Sequence, residues 1–338
     1  MAYITFQPSD YFNTKLYTGN GSTNAQTGVG FQPDWLWFKN RADTYNHHVF
    51  DVVRGVNQQL QVDSNGAEST YATSMTSFDS DGFTLGANNN INYNGNNHVA
   101  WCWKAGGTGS SNSDGSISST VSANTTAGFS IVTWTGNSGS IGHGLGVKPA
   151  MIVAKSRGAT GGWYVTHKSL SAEMQDNYMF WNTNSANTTN NNIWGGEPTT
   201  STFSVGSGLI GNTTHVAYVF ASKKGFSKFG TYKGNGNADG TFVYTGFKPA
   251  FIMQKKSSGT SDWVIYDNKR SIFNVVTKEL KANTNAAEST FDGIDILSNG
   301  FKQRSDYSYT NNSGATYIYM AFAEEPLVSS NNIVATAR

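Results

Sequence analysis

An all-β chain built from three consecutive units is what this sequence predicts, and three observations carry the prediction. A phrase of fixed spacing occurs three times, short apolar runs are broken by Gly, Asn and Ser at strand-like intervals, and helical periodicity is scarce. The phrase runs Gly30-Phe31-Gln32-Pro33, returns as Gly144-Leu145-Gly146-Val147-Lys148-Pro149, and returns again as Gly246-Phe247-Lys248-Pro249. Each proline is followed six residues later by a lysine (Lys39, Lys155, Lys255), with an apolar run between. Tyr17, Trp134 and Tyr232 precede the three copies. A residue present in every copy is read as structural.

The repeat divides the chain into an N-terminal arm (1–14), unit one (15–106), unit two (129–225), unit three (226–325) and a C-terminal arm (326–338). The stretch 107–128 is rich in Gly, Ser, Asn and Thr and reads as a linker. Trp35-Leu36-Trp37-Phe38, Met151-Ile152-Val153-Ala154 and Phe251-Ile252-Met253 are continuous apolar runs, expected as strands buried on both faces or in a sandwich core. Val49, Val165 and Ile265 mark the next strand, and each unit closes on another, Val99 to Trp103, Val216 to Phe220 and Tyr317 to Phe322. The best helical candidate is the short stretch from Arg270 to Leu280. Strands this short and this closely spaced favour three tandem β-sandwich repeats in a row over one closed structure such as a propeller, since three units this long need not share a core.

Composition narrows the functional classes. Only 13% of the 338 residues are charged, the net charge is +1, and aromatics reach 13%. That balance gives no electrostatic footprint for nucleic acid or an anionic membrane. No apolar stretch approaches the length that spans a bilayer. Cys102 is the single cysteine, set within Val99-Ala100-Trp101-Cys102-Trp103 and expected in the core, so no disulfide and no cysteine-based zinc site is expected within the chain. The first residues, Met1-Ala2-Tyr3-Ile4-Thr5, have no basic flank and no apolar core of a secretory signal, which points to synthesis in a host cytoplasm.

The repeat also sorts the candidate sites. Asp51 and Arg54 recur as Asp267 and Arg270 at the same distances from the unit's proline, while unit two has His167 and Leu170 there, so they read as an ion pair clamping a turn. His98 and His215 stand three residues before Trp101 and Tyr218, with Thr316 taken as the third member; His47 occupies the offset of Trp163 and Trp263, both expected to be buried. Asp79-Ser80-Asp81-Gly82 offers hard oxygen ligands for calcium, yet a Gly-bearing turn explains the same residues. Glu68 and Glu288 recur in Ala-Glu-Ser-Thr phrases and read as a shared loop conformation or a subunit contact. No nucleophile triad, paired carboxylates or metal set emerges, so neither a catalytic residue nor a cofactor is expected.

Two sets of residues remain as functional candidates. Loops that differ between units combine amides with aromatic rings, the chemistry of sugar recognition, and offer Tyr93, Trp194, Tyr307 and Tyr309 as glycan contacts. Tight-turn geometry accounts for the same Asn and Gly residues. The N-terminal arm carries Tyr3, Phe6, Tyr11 and Phe12 as candidate assembly contacts, to be buried on a neighbouring subunit, on another protein or back on unit one.

The phrases Asp262 to Arg270, Leu297-Ser298-Asn299-Gly300-Phe301-Lys302 and Tyr317 to Pro326 resemble a repeat domain common in virion proteins of tailed bacteriophages, marine and cyanobacterial ones especially. Gly30 to Arg41, Ser80-Asp81-Gly82-Phe83 and Val99 to Gly107 resemble the same family, and unit two is the most divergent. The resemblance covers nearly the whole chain and implies a concanavalin-like or jelly-roll sandwich without an assigned active site. It implies a non-enzymatic virion structural protein, first a tail fibre or tail-tip component in host attachment, with a capsid decoration or head-fibre protein as the alternative and a glycan depolymerase as a third reading. Other virion proteins, host-surface glycan and a homo-oligomer, a trimer first, are the partners expected.

Overall fold

The apolar runs become strands, because β-branched and aromatic side chains fill both faces of an extended backbone better than a helix could hold them. A computed structural model describes residues 4–209, 211–326, 328 and 334–335, and among these the chain is all-β with two one-turn α-helices and a short 3-10 turn at Pro8–Asp10. Unit one contains β1 (Phe12–Thr18), β2 (Asn24–Thr27), β3 (Trp35–Asn40), β4 (His48–Asp51), β5 (Gln58–Gln61), β6 (Ser69–Thr70), β7 (Met75–Asp79), β8 (Gly82–Leu85), α1 (Asn89–Asn92) and β9 (Asn97–Trp103). They form a sheet of order β1-β9-β3-β4-β5-β6 and a second of order β2-β8-β7.

The next segment begins with β10 (Ser110–Asn112) and β11 (Ser119–Asn124), inside the stretch that composition suggests as a linker. Both strands hydrogen-bond onto the sheet of unit two, so 107–128 is an extension of that sheet. Unit two continues with β12 (Phe129–Thr135), β13 (Gly139–Gly142), β14 (Met151–Ser156), β15 (Trp163–His167), β16 (Asn177–Phe180), β17 (Thr188–Thr189), β18 (Thr202–Val205) and β19 (Thr214–Phe220). Its main sheet is ordered β10-β11-β12-β19-β14-β15-β16-β17, and β13 pairs with β18. Unit three holds β20 (Ser227–Lys233), β21 (Phe242–Tyr244), β22 (Phe247–Lys256), β23 (Trp263–Asp267), β24 (Val276–Lys281), β25 (Ser289–Leu297), β26 (Gly300–Gln303), α2 (Ser308–Asn311) and β27 (Thr316–Pro326). Its single sheet, β20-β27-β22-β23-β24-β25-β26-β21, wraps nearly closed, since its two ends are strands consecutive in the chain. The helix expected at Arg270 to Leu280 is a turn followed by β24; Val276 and Leu280 point into the core at strand spacing.

One pairing order recurs. In each unit the first strand pairs with the last, the last with the third, and the third with the fourth, all antiparallel. Register recurs too: Lys39 lies opposite Val99, Lys155 opposite Val216 and Lys255 opposite Ile318.

Alternation along these strands separates two apolar faces. Leu36, Phe38, Ala100 and Cys102 pack inside unit one, and Ile152, Ala154, Ala217 and Val219 inside unit two. Trp35, Trp37, Trp101, Trp103, Met151, Val153, Tyr218 and Phe220 face the other way and join Phe251, Trp263 and Phe322 of unit three in one cluster. Ring centroids of Trp35 and Tyr218 are 4.5 Å apart, those of Trp103 and Phe322 5.6 Å, and those of Phe220 and Phe322 6.1 Å. Units one and two thus keep interiors of their own, and a further apolar cluster joins all three, so the units do not stand in a row. The outward face of each central sheet is as apolar as the inward one, and a row would leave much of it in water.

The N-terminal arm is drawn into the same body. Phe12 belongs to β1 and to the shared core, stacked on Phe322 at 5.4 Å, so it has no surface left for another protein. Phe6 and Tyr11 pack edge-on against Phe226, at 5.6 and 6.2 Å, where unit three begins. Tyr3 lies outside the described residues, as does most of the C-terminal arm.

Trp163 and Trp263 are buried as expected, and each indole crosses to another unit: Trp163 Nε1 donates to the Gln61 carbonyl at 2.8 Å, and Trp263 Nε1 to the Phe180 carbonyl at 2.9 Å. Replacing either with Ala removes a core aromatic and leaves a buried carbonyl unpaired, so a loss of about 3–5 kcal/mol is expected in urea unfolding. A loss below about 1 kcal/mol would show that these rings do not bear on the core.

Candidate functional site

Most of the polar chemistry that the sequence offers is gathered at three joints between units. At the first, Asp51 receives the Arg54 Nε at 2.5 Å together with the Val53 and Arg54 amides, which closes the turn after β4. The same guanidinium reaches Glu68 at 2.9 Å and the hydroxyl of Tyr218, in unit two, at 3.2 Å; that hydroxyl in turn donates to Asp51 at 2.9 Å. Glu68 also accepts from Arg157 of unit two, at 2.7 Å to Nη2, and its amide donates to the Arg157 carbonyl at 2.8 Å. At the joint of units three and one the arrangement repeats. Asp267 holds Arg270 at 2.6 Å and accepts from Trp101 Nε1 at 2.9 Å, while Glu288 pairs with Arg41 at 2.8 Å and donates its amide to the Arg41 carbonyl at 2.9 Å.

The joint of units two and three keeps the geometry without the charges. Asn187 stands for the glutamate and Ser257 for the arginine, and the Asn187 amide donates to the Ser257 carbonyl at 3.1 Å. His167 stands for the aspartate: its Nδ1 accepts the Ser169 amide at 3.1 Å, and its Nε2 faces the Tyr319 carbonyl at 3.3 Å. The repeated lysines serve the same joints, Lys39 Nζ reaching the Asn285 carbonyl at 3.2 Å, Lys155 the Asn65 carbonyl at 3.4 Å and Lys255 the Asn184 carbonyl at 3.3 Å. Burial lowers Lys39 and Lys155 to about 8 and Lys255 to about 7, while each ammonium also donates to the carbonyl of the following residue. The Asp/Arg pairs are thus turn clamps that also lock neighbouring units together.

The histidine positions need one correction. His98 stacks on Tyr17 at 5.1 Å and His215 on Trp134 at 5.1 Å, and the third member is Tyr317, stacked on Tyr232 at 4.9 Å, in place of Thr316. The register places Tyr317 opposite Tyr232 as it places His98 opposite Tyr17. A change of residue type hid the equivalence. His47, at the tryptophan offset, is fully buried beside the Lys281 backbone and accepts from Trp37 Nε1 at 2.9 Å. Asp81 spends both carboxylate oxygens on the Gly28 and Gly30 amides, at 2.9 and 2.6 Å, and so pins the turn before the Phe31-Gln32-Pro33 phrase.

The proposed sugar contacts separate. Trp194 lies in the core of unit two, 2% exposed, and presents no ring face to a ligand. It occupies the place of Met75, since Gly206 donates to the Ile193 carbonyl as Gly86 donates to that of Ser74. Tyr93 and Tyr307 are each 37% exposed. Tyr93 is paired with Tyr45 at 5.8 Å, close in sequence to Arg41. Tyr307 stacks on Tyr309 at 5.4 Å and meets Phe291 edge-on at 5.8 Å, three residues beyond Glu288. Tyr309 is half-buried and has Lys281 Nζ 5.3 Å from its ring centre. Two aromatic platforms therefore stand on the surface, Tyr45–Tyr93 on unit one and Phe291–Tyr307–Tyr309 on unit three, the latter beside Ser261, which donates to the Tyr309 carbonyl. Many amides around them are committed to the fold: Asn92 donates to the Gly86 and Ser22 carbonyls, and Asn311, its counterpart, to those of Ser305 and Asn237. On unit two a groove of about 480 Å³ is lined by Ser111, Ser119, Thr120, Thr133, Trp134 and Arg157, with Arg157 held by Glu68.

A family model described as Domain of unknown function (DUF7483) matches residues 7–326. The chain belongs to that family. One DUF7483 domain thus spans all three units, both joint-forming loops and the aromatic platforms. No curated protein and no solved structure matches the chain.

Two outcomes follow from the joints. Arg54→Met or Arg270→Met leaves a fully buried aspartate without its cation, and each is expected to cost about 3–5 kcal/mol in chemical unfolding; a near-neutral result would mean that the clamp contributes nothing. Burial pushes His48 and His98 down to about 4 and His167 to about 3. In the unfolded chain histidine titrates at about 6.5, so that state binds protons the folded state refuses. This stabilisation is complete above about pH 6.5 and is lost as pH falls toward 4. Asp63, raised to about 6 by burial, opposes the trend together with Asp34 and Glu279, which burial also raises, while His47 and His143, lowered by burial, reinforce it. Melting temperature should therefore drop steadily from pH 7 to pH 4.5, and a flat profile would contradict neutral burial of these rings.

Proposed function

We propose that this protein is a non-enzymatic structural component of a tailed-bacteriophage particle, displayed on the tail as a fibre or tip component that contacts host-surface glycan. The observation that carries the reading is where the aromatic side chains remain exposed. Tyr93 and Tyr307, which are exposed together with Tyr71, Phe242, Tyr244, Phe273 and Phe291, stand in loops that differ between units, on a body whose repeated charges are spent on holding the units together. Variable loops on a shared rigid scaffold are where such a protein can specialise. The phage-like phrases that run through units one and three support the same setting. We infer further that each unit is a jelly-roll-type sandwich, a reading supported by the recurring order of first, last, third and fourth strands.

An aromatic platform of one or two rings binds a sugar weakly, about millimolar or about −4 kcal/mol, so useful adhesion needs several copies on one particle. A homotrimer is the assembly to test. Gold-labelled antibody against the chain should decorate the tails of purified particles. Labelling of the capsid would instead favour a decoration role, and absence from the particle would end the virion reading. Purified protein presented multivalently should adsorb to host cells, and the variant Y93A/Y307A/Y309A should lose most of that adsorption. Adsorption untouched by all three changes would remove the platforms from the contact.

A further inference from the structure

Between units two and three the chain turns through Ser222-Lys223-Lys224-Gly225, and beside this turn opens a cleft of about 290 Å³. Its lining brings together Lys168 from the end of β15, Lys223 and Lys224 from the turn, Lys228 from β20, and Tyr244 from β21. The rest of the lining is Ser, Thr and Gly, with no carboxylate. A chain of net charge +1 has thus concentrated four cations in one concavity. Among the described residues, Lys168, Lys223 and Lys228 take part in no ion pair, and what sets them apart is that they share one concavity.

The cleft is also partly organised. Lys228 Nζ donates to the Tyr244 carbonyl at 2.7 Å and sits 5.0 Å from the centre of the Tyr244 ring. Tyr244 is 49% exposed, on a strand at the edge of its sheet, so a face of the ring is open beside the cations. Burial holds Lys168, Lys223 and Lys228 below the ordinary lysine range, and the charge of Lys168 lowers Lys228 further. Like charges crowded as Lys168, Lys223 and Lys228 are, outside every ion pair among the described residues, are relieved by an anion brought from outside.

We propose that this cleft binds an acidic saccharide, the lysines taking its carboxylate or phosphate group and Tyr244 packing on the C–H face of the sugar ring. The inference rests on the host-glycan reading for its biological setting and narrows that glycan to an anionic one. Lysines suit the task because each is a compact charge on a flexible stem, able to follow an anionic group that varies in position along a polymer. An aromatic ring beside them adds selectivity for a sugar over a bare ion.

The test uses the whole chain, titrated calorimetrically with trigalacturonic acid, with a neutral trisaccharide of the same size, and with inorganic phosphate. The acidic trisaccharide should bind at least about tenfold more tightly than the neutral one and weaken as salt rises. The variant K168A/K223A/K228A, checked for an unchanged melting temperature, should weaken it by about tenfold or more, and Lys-to-Arg changes at the same positions should restore binding. Tyr244→Ala should weaken the acidic trisaccharide and leave phosphate unaltered. Phosphate binding as tightly as the acidic trisaccharide, with neither altered by Y244A, would overturn the saccharide assignment in favour of a simple anion site. Absence of binding by both anions would overturn the site altogether. Host-cell adsorption measured in parallel separates the two levels: adsorption without acidic-trisaccharide binding sinks this inference alone, and binding without adsorption sinks the attachment reading alone.

Discussion

The outward face of each central sheet is aromatic and has nothing in its own unit to cover it. Trp35, Trp37, Trp101 and Trp103 in unit one, Tyr218 and Phe220 in unit two, and Phe251 and Phe322 in unit three all lie on such faces. Hydrophobic burial is non-directional and sets only the requirement that these faces meet. Three units in a line cover the faces incompletely, whereas a closed arrangement in which unit one meets two, two meets three and three meets one leaves none uncovered. A head-to-tail contact that repeats and closes produces a ring, and here the ring closes within one polypeptide.

Direction comes from the polar groups. Glu68 of unit one reaches Arg157 of unit two, Glu288 of unit three reaches Arg41 of unit one, and the uncharged Asn187 of unit two reaches Ser257 of unit three. Buried ion pairs of this kind add little net stability, because desolvation offsets much of the attraction. Their effect is selective: a glutamate loop placed against Ser257 would leave its carboxylate without a cation. The turn clamps Asp51–Arg54 and Asp267–Arg270 belong to the same device, since each guanidinium holds its own turn and the loop glutamate together.

The strands and their equivalences were legible in the sequence because proline, lysine and tryptophan keep fixed offsets and each performs a local task. Burial of Trp163 and Trp263 could be read the same way. Closure could not, since the second apolar face of β3 or β14 looks in sequence like any strand buried on both sides. A signal was nonetheless present. The unit without the Ala-Glu-Ser-Thr phrase is unit two, and the unit without an arginine eight residues after its proline is unit three, so loss of the acid and loss of the base fall on the two sides of one joint. Trp194 was misplaced for a different reason: unit two lacks a counterpart of β7, and nothing in its loop shows that Trp194 fills the place of Met75. The third ring stacked beside a first-strand aromatic was missed because Tyr317 replaces a histidine and keeps only its flat face.

The surface features with ligand-like chemistry are two aromatic platforms on units one and three, a hydroxyl-lined groove on unit two, and a lysine cleft between units two and three. The groove reaches Arg157, held by unit one, and the cleft is lined from both units two and three, so their placement depends on the ring being one body. Differential scanning calorimetry of the intact chain measures this most directly. The account predicts one cooperative transition in which the calorimetric and van't Hoff enthalpies agree, because the largest buried cluster is shared by all three units and the aromatic face of each is covered only by the others. Two or three resolved transitions, each with its own enthalpy, would contradict the shared core and restore three separable domains.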